Sequence, residues 1–85
     1  MVLTSLIYQG QLHCEITHDP SQSKLETDAP KDNNGRGEKF SPTDLVGAAL
    51  GSCIVTTMAM VAERDGVTMI GATASVEKHM QPHQR

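Results

Sequence analysis

Apolar and polar positions along the chain change their period twice, and each change marks an element. Residues 2–18 alternate loosely and break at Gln9-Gly10, the pattern of a β-hairpin with strands Val2–Gln9 and Gln11–His18 joined by a tight turn. Asp19-Pro20-Ser21 is turn chemistry, and Ser23–Thr27 reads as a third strand. From Asp28 to Lys39 the run DAPKDNNGRGEK is polar, charged and rich in turn formers, so residues 28–40 read as a flexible loop. It leads into a helix over 41–65 whose ends are both written in the sequence. Ser41 is a natural N-cap, Pro42 suits the first helical position, and Asp44 falls three residues after the cap. That is the aspartate form of a capping box, with a negative charge at the positive end of the helix dipole. Gly66 supplies the left-handed residue that closes the other end. Val67–Ile70 and Ala72–Lys78 then read as a strand or strand pair, with Ala72, Ala74 and Val76 on one face.

The helix is unusual for its lack of a polar face. Leu45–Ala62 carries no charge over 18 residues, so the helix calls for cover nearly all round. Eighty-five residues make one domain, and one Phe, one Tyr and no Trp leave few side chains that bury much area. The remaining residues offer too little covering surface, which points to a second subunit or to further chain. The predicted fold class is therefore α+β: a hairpin and third strand, a long buried central helix, and a further strand that pairs with another subunit. The uncharged run reaches the lower limit of a membrane span, and Gly47-x-x-x-Gly51 is a helix-pairing motif in lipid. Against a span, the run is diluted by Gly, Ser, Cys and Thr, and its ends are Asp44 and Glu63 rather than basic or aromatic residues. No membrane partner is expected.

A net charge of −3 leaves no electrostatic footprint for nucleic acid. Two cysteines far apart make neither a disulfide framework nor a zinc knuckle, and the N-terminus MVLTSLIYQG lacks the basic region and apolar run of a signal peptide. A reducing cytoplasm is the expected location. His13, His18, His79 and His83 are scattered, and Pro82 argues against a helix that would put the last two on one face. No phosphate-cradling glycine loop or nucleophile elbow occurs.

Candidate chemistry centres on Cys53. It lies twelve residues past the cap, roughly 18 Å along the axis at 1.5 Å per residue, beyond the reach of the helix dipole. Its helical neighbours Ala49, Leu50, Thr56 and Thr57 are apolar or weakly polar, an environment that leaves a thiol inert unless a cation is brought from elsewhere. A buried cysteine of this kind is ordinarily packing. Arg36, in the Asn34-Gly35-Arg36-Gly37 loop just before the helix, is the best-placed cation, although loop arginines are usually solvated. Arg64 lies too far along the same helix and complements its C-terminal end. Cys14, in the second strand, reads as a half-buried small hydrophobe; as a resolving thiol it would need to lie within disulfide reach of Cys53.

The run S-P-T-D-L-V-G-A-A-L-G-S-C, preceded by a D-A-P-x-x-x-x-G-x-G-x-x-x loop, resembles the OsmC/Ohr family over about Leu25 to Lys78. The resemblance implies long central helices wrapped by sheets from two intertwined subunits, a homodimer. It implies that Cys53 corresponds to the peroxidatic cysteine of a thiol-dependent organic hydroperoxide reductase in oxidative and osmotic stress defence. Its partners would be a peroxide substrate and a dithiol reductant, with no metal or organic prosthetic group as cofactor. The departures are specific. The family's second helix and its C-P-V-like second cysteine have no counterpart in these 85 residues, so the chain resembles an N-terminal portion, and Cys14 or a cysteine beyond Arg85 would resolve Cys53. Ten residues before the cysteine, where the Ohr branch usually has Glu, stands Thr43 with Asp44 adjacent, and the first hairpin turn, Tyr8-Gln9-Gly10-Gln11, lacks that branch's Arg. The resemblance is thus to a general OsmC-like protein, with Cys53, Arg36 and Asp44 as candidate catalytic residues. The alternative is a non-catalytic dimeric module of the same fold that has lost its resolving cysteine and binds an apolar ligand.

Overall fold

The computed structural model describes residues 1–81 and is α+β. Its first half is a three-stranded antiparallel meander, β1 (Thr4–Tyr8), β2 (His13–His18) and β3 (Ser23–Asp28), in that spatial order. The β1–β2 register runs from Thr4 opposite His18 to Tyr8 opposite Cys14. The β2–β3 register runs from His18 opposite Ser23 to His13 opposite Asp28. The first connection is wider than a tight turn. Gly10, Gln11 and Leu12 all take left-handed backbone, at φ 87°, 54° and 58°, and the loop closes through Gln9 N–H to His13 O at 2.9 Å and His13 N–H to Gly10 O at 3.1 Å. In the second connection Ser21 and Gln22 N–H both donate to His18 O, at 3.2 and 2.7 Å.

Residues 29–40 are tied down by backbone pairing at both edges. Ala29 N–H donates to Leu12 O at 3.0 Å, Asp28 N–H to Phe40 O at 3.1 Å, and Gly37 N–H to Ala29 O at 3.2 Å. A single 3-10 turn, Lys31–Asn33, lies inside the loop, and Gly35 N–H donates to Pro30 O at 2.9 Å. Glycine is required at 35 for a steric reason: a Cβ there would stand 1.9 Å from the Ala29 carbonyl oxygen.

Helix α1 spans Pro42–Arg64, within a residue of the expected limits, with Asp44 in its first turn and Arg64 in its last. Gly66, at φ 74°, ends it in a Schellman motif: Val67 N–H donates to Ala62 O at 2.9 Å and Gly66 N–H to Glu63 O at 3.0 Å. By length and composition α1 could cross a bilayer, a test that core helices of soluble proteins also pass.

The chain forms two compact units, Met1–Thr43 and a second from Asp44 onward. Within the second unit Val76 lies against the small face of α1. A Cβ on Gly47 would stand 3.4 Å from Val76 Cγ1, and one on Gly51 2.7 Å from Val76 Cγ2. Lys78 Nζ reaches Asp44 Oδ1 at 2.7 Å.

One expectation finds no counterpart in the single chain: no strand follows α1 among the described residues, because a strand needs a hydrogen-bonded neighbour and residues 67–81 find none within the chain. The chain does not cover α1 by itself, in line with the shortage of covering surface: no α1 residue is buried, and no apolar residue is buried among those described. Val46, Leu50, Ile54, Met58 and Val61 follow one another at spacings of three or four, all between 52 % and 69 % exposed.

Candidate functional site

Cys53 occupies the middle of α1, as expected, and its side chain is exposed in the single chain. Leu50 and Ile54, beside it on the helix, are exposed as well. Asp44, nine residues before Cys53, is held in an ion pair with Lys78. Cys14 lies on β2 between Tyr8 and Thr27 in the sheet register and is half-buried, the position expected of a small strand hydrophobe. His79 is exposed beside Glu77 at 3.1 Å, and His83 lies outside the described residues.

The first unit holds a cluster that pattern alone did not reveal. His13 is 4 % exposed and Asp28 is fully buried. Register puts them directly opposite each other at the open end of the β2–β3 pair. His13 Nδ1 meets Asp28 Oδ1 at 2.5 Å, and its Nε2 meets Glu26 Oε1 at 2.9 Å. With a carboxylate on each ring nitrogen, the imidazole can donate to both only in its charged form, which these two contacts favour. The hydrogen bond to Asp28 raises the His13 pKa above 6.5, outweighing burial, which lowers it; Glu26 adds to the rise. Burial pushes the Asp28 carboxyl up. The His13 hydrogen bond, the Arg36 and His13 charges and the Lys39 backbone N–H outweigh it and hold the carboxyl below its ordinary value.

Arg36 belongs to this cluster. Its Nε lies 3.7 Å from Asp28 Oδ1 and its Nη2 donates to Glu38 Oε1 at 3.3 Å. The second Asp28 oxygen accepts the backbone N–H of Glu38 at 3.2 Å and of Lys39 at 3.0 Å, and Lys39 Nζ stands 3.9 Å from Glu26 Oε2. Arg36 is therefore a guanidinium held by its own loop, not one free in solvent. The signal that could have found His13 and Asp28 is register: extending the pairing back from a four-residue connection, 19–22, brings these two residues face to face.

The profile of the OsmC-like protein family matches residues 35–85, the part of the chain that holds Arg36, Asp44 and Cys53. The chain belongs to the OsmC-like family. Over its whole length it is also similar to a crystal structure from Psychrobacter arcticus 273-4 named for an osmotic stress induced and detoxification response protein, at 40 % identity and a TM-score of 0.95. The chain spans 62 % of that protein's chain. No curated protein matches it in sequence. Within this OsmC-like chain, His13, Glu26 and Asp28 precede the matched stretch, while Arg36 inside it completes their charge cluster. Among the described residues no group of His, Cys, Asp and Glu has the arrangement of a metal site.

Proposed function

We propose that this OsmC-like chain serves stress defence as a thiol-dependent reductase of organic hydroperoxides, with Cys53 as the nucleophile. The observation that carries the reading is the family match across the central helix, which takes in a solitary thiol at mid-helix. The likeness to a protein named for osmotic stress and detoxification supports the same direction. Cys53 Sγ, as thiolate, attacks the distal peroxide oxygen. The O–O bond breaks, the alkoxide leaves and takes up a proton as an alcohol, and Cys53 becomes a sulfenic acid. A dithiol reductant then forms a mixed disulfide with Cys53 and releases water. Its second thiol displaces the Cys53 thiolate and leaves the reductant as a disulfide. Leu50 and Ile54 beside the thiol favour alkyl peroxides, since burying an alkyl group gains roughly 0.8 kcal/mol per CH₂.

Arg36 is the cation proposed to steady the thiolate, and Asp44, beside the position where the Ohr branch has Glu, is proposed to assist it. The active unit is proposed to be a cytoplasmic homodimer. Consumption of cumene hydroperoxide with a dithiol donor tests the reading. It should vanish in Cys53→Ser and survive in Cys14→Ser, and Arg36→Met should slow alkylation of Cys53 by iodoacetamide several-fold. Equal consumption by Cys53→Ser and the parent would leave the non-catalytic module as the reading.

A further inference from the structure

We propose that the doubly protonated His13 ring is a pH latch that holds the 29–40 loop, with Arg36 in it, against the sheet, and that loss of one ring proton releases the loop. The geometry lies in the two oxygens of one fully buried carboxylate. Asp28 Oδ1 takes the His13 Nδ1–H at 2.5 Å, while Oδ2 takes the Glu38 and Lys39 backbone N–H groups at 3.2 and 3.0 Å. The imidazolium and the loop are thus joined through Asp28, which has no exposure to water.

The charges around His13 balance only when it is protonated. From β2 comes His13, from β3 Glu26 and Asp28, and from the loop Arg36, Glu38 and Lys39. These are three cations against three anions. From β1 the nearest titratable group is the Tyr8 phenol, which accepts the Leu12 N–H at 3.2 Å. A neutral imidazole keeps one N–H for two carboxylates, so one contact becomes lone pair against lone pair. Glu26, 42 % exposed, can turn to water, but Asp28 cannot. With Glu26 turned to water, the remaining Nδ1–H stays on Asp28 but as a neutral donor. Three anions then face two cations, and the charge-assisted contact that holds the buried carboxylate is weakened. Opening the loop, which lets water reach Asp28, then costs less.

The direction with pH follows from both partners. His13 is raised above 6.5, so its contribution is complete below that value and is lost as pH rises through the raised one. Asp28 is lowered from 3.8, so its contribution is present above that value and is lost as pH falls through the lowered one. The loop is latched between these limits and opens on the alkaline side through His13.

The test uses the 85-residue protein, following the His13 ring and the Glu38 and Lys39 amides by NMR. Amide exchange rates are corrected for the intrinsic effect of pH. The His13 midpoint should lie above 6.5. Protection of both amides should hold level below about pH 6.5, fall by up to about tenfold per pH unit between 6.5 and that midpoint, the slope of a one-proton linkage, and level off above it. Glu26→Gln, which leaves the Asp28 contact in place, should lower the midpoint and carry the fall in protection with it. His13→Gln should remove the pH dependence of these two amides. A midpoint at or below 6.5, flat protection from pH 6.5 up to the midpoint, or a fall that persists in His13→Gln would overturn the latch. Should His13→Gln fail to fold, the paired shift of midpoint and protection in Glu26→Gln decides the question.

Discussion

Gly47 and Gly51 lie one turn apart on α1 and both face Val76, yet replacing them with alanine should have opposite effects. In a helix interior glycine costs about 0.5–1 kcal/mol relative to alanine, so either change starts with that gain. At Gly47 the new Cβ would stand 3.4 Å from Val76 Cγ1, at the edge of ordinary contact, and the gain is kept. At Gly51 the separation from Val76 Cγ2 would be 2.7 Å, against about 3.5–4.0 Å for carbons in contact. Something must move by roughly 1 Å, and overpacking of that kind costs about 1–3 kcal/mol. The net result at Gly51 is a loss of up to about 2.5 kcal/mol.

For a domain of this size 1 kcal/mol moves Tm by about 4–8 °C. Gly47→Ala should therefore raise Tm by about 2–8 °C, and Gly51→Ala should lower it. Far-UV circular dichroism melts and urea titrations measure both. The decisive arm is Val76→Ala, which removes the opposing methyl: in that background Gly51→Ala should recover the helix gain, a coupling of about 1–3 kcal/mol. Gly51→Ala as stabilising as Gly47→Ala, or indifferent to Val76→Ala, would refute the packing of residue 76 on this face.

Three further outcomes follow from particular contacts. Gly35→Ala forces a Cβ onto the Ala29 carbonyl oxygen, so it should free the 29–40 loop and expose Lys31, Arg36 and Lys39 to trypsin while the β1–β2 amides stay protected. Gln11→Gly, at φ 54° between two other left-handed residues, should raise stability by up to about 1 kcal/mol in a urea titration. Sedimentation should show a concentration-dependent dimer that Leu50→Asp dissociates: the five half-exposed side chains from Val46 to Val61 have roughly 1 kcal/mol each still to gain on burial. Ten such residues in a pair of chains balance an association cost of about 4–15 kcal/mol only narrowly, so a compact, stable monomer would remove the dimer.

Much of the fold was legible because it rests on short-range chemistry. Gly66 closes α1 in a Schellman motif because a left-handed residue was needed there and glycine supplies it. The limits of β3 were off by a single residue, Asp28, whose charge and turn propensity argued for a loop. A buried aspartate at a strand end makes sense only with its cross-strand partner, and local composition carries no information about a partner fifteen residues away. The first hairpin was misjudged for a related reason. Gln11 and Leu12 have no intrinsic preference for left-handed backbone, so a four-residue connection with three such residues in a row was not written in local propensity.

The candidate site divides along the same line. Cys53 stood out because an uncharged helix with one thiol at its centre is a local pattern, and the structure places it as counted. Arg36 was singled out as a cation in the loop just before the helix, and its glycine neighbours were read as freedom to move. Gly35 has the opposite part: it allows the backbone to approach Ala29 so closely that the loop is pinned, and the Arg36 guanidinium is delivered to Asp28. The same reversal applies to His13, which counted as one of four scattered histidines until strand register set it between two carboxylates. A residue's charge can be read from its letter; whether that charge is solvated or buried against a partner is decided by which strands pair and in what register. That is why the nucleophile proposed here could be found from sequence, while the charge cluster that holds Arg36 required the fold.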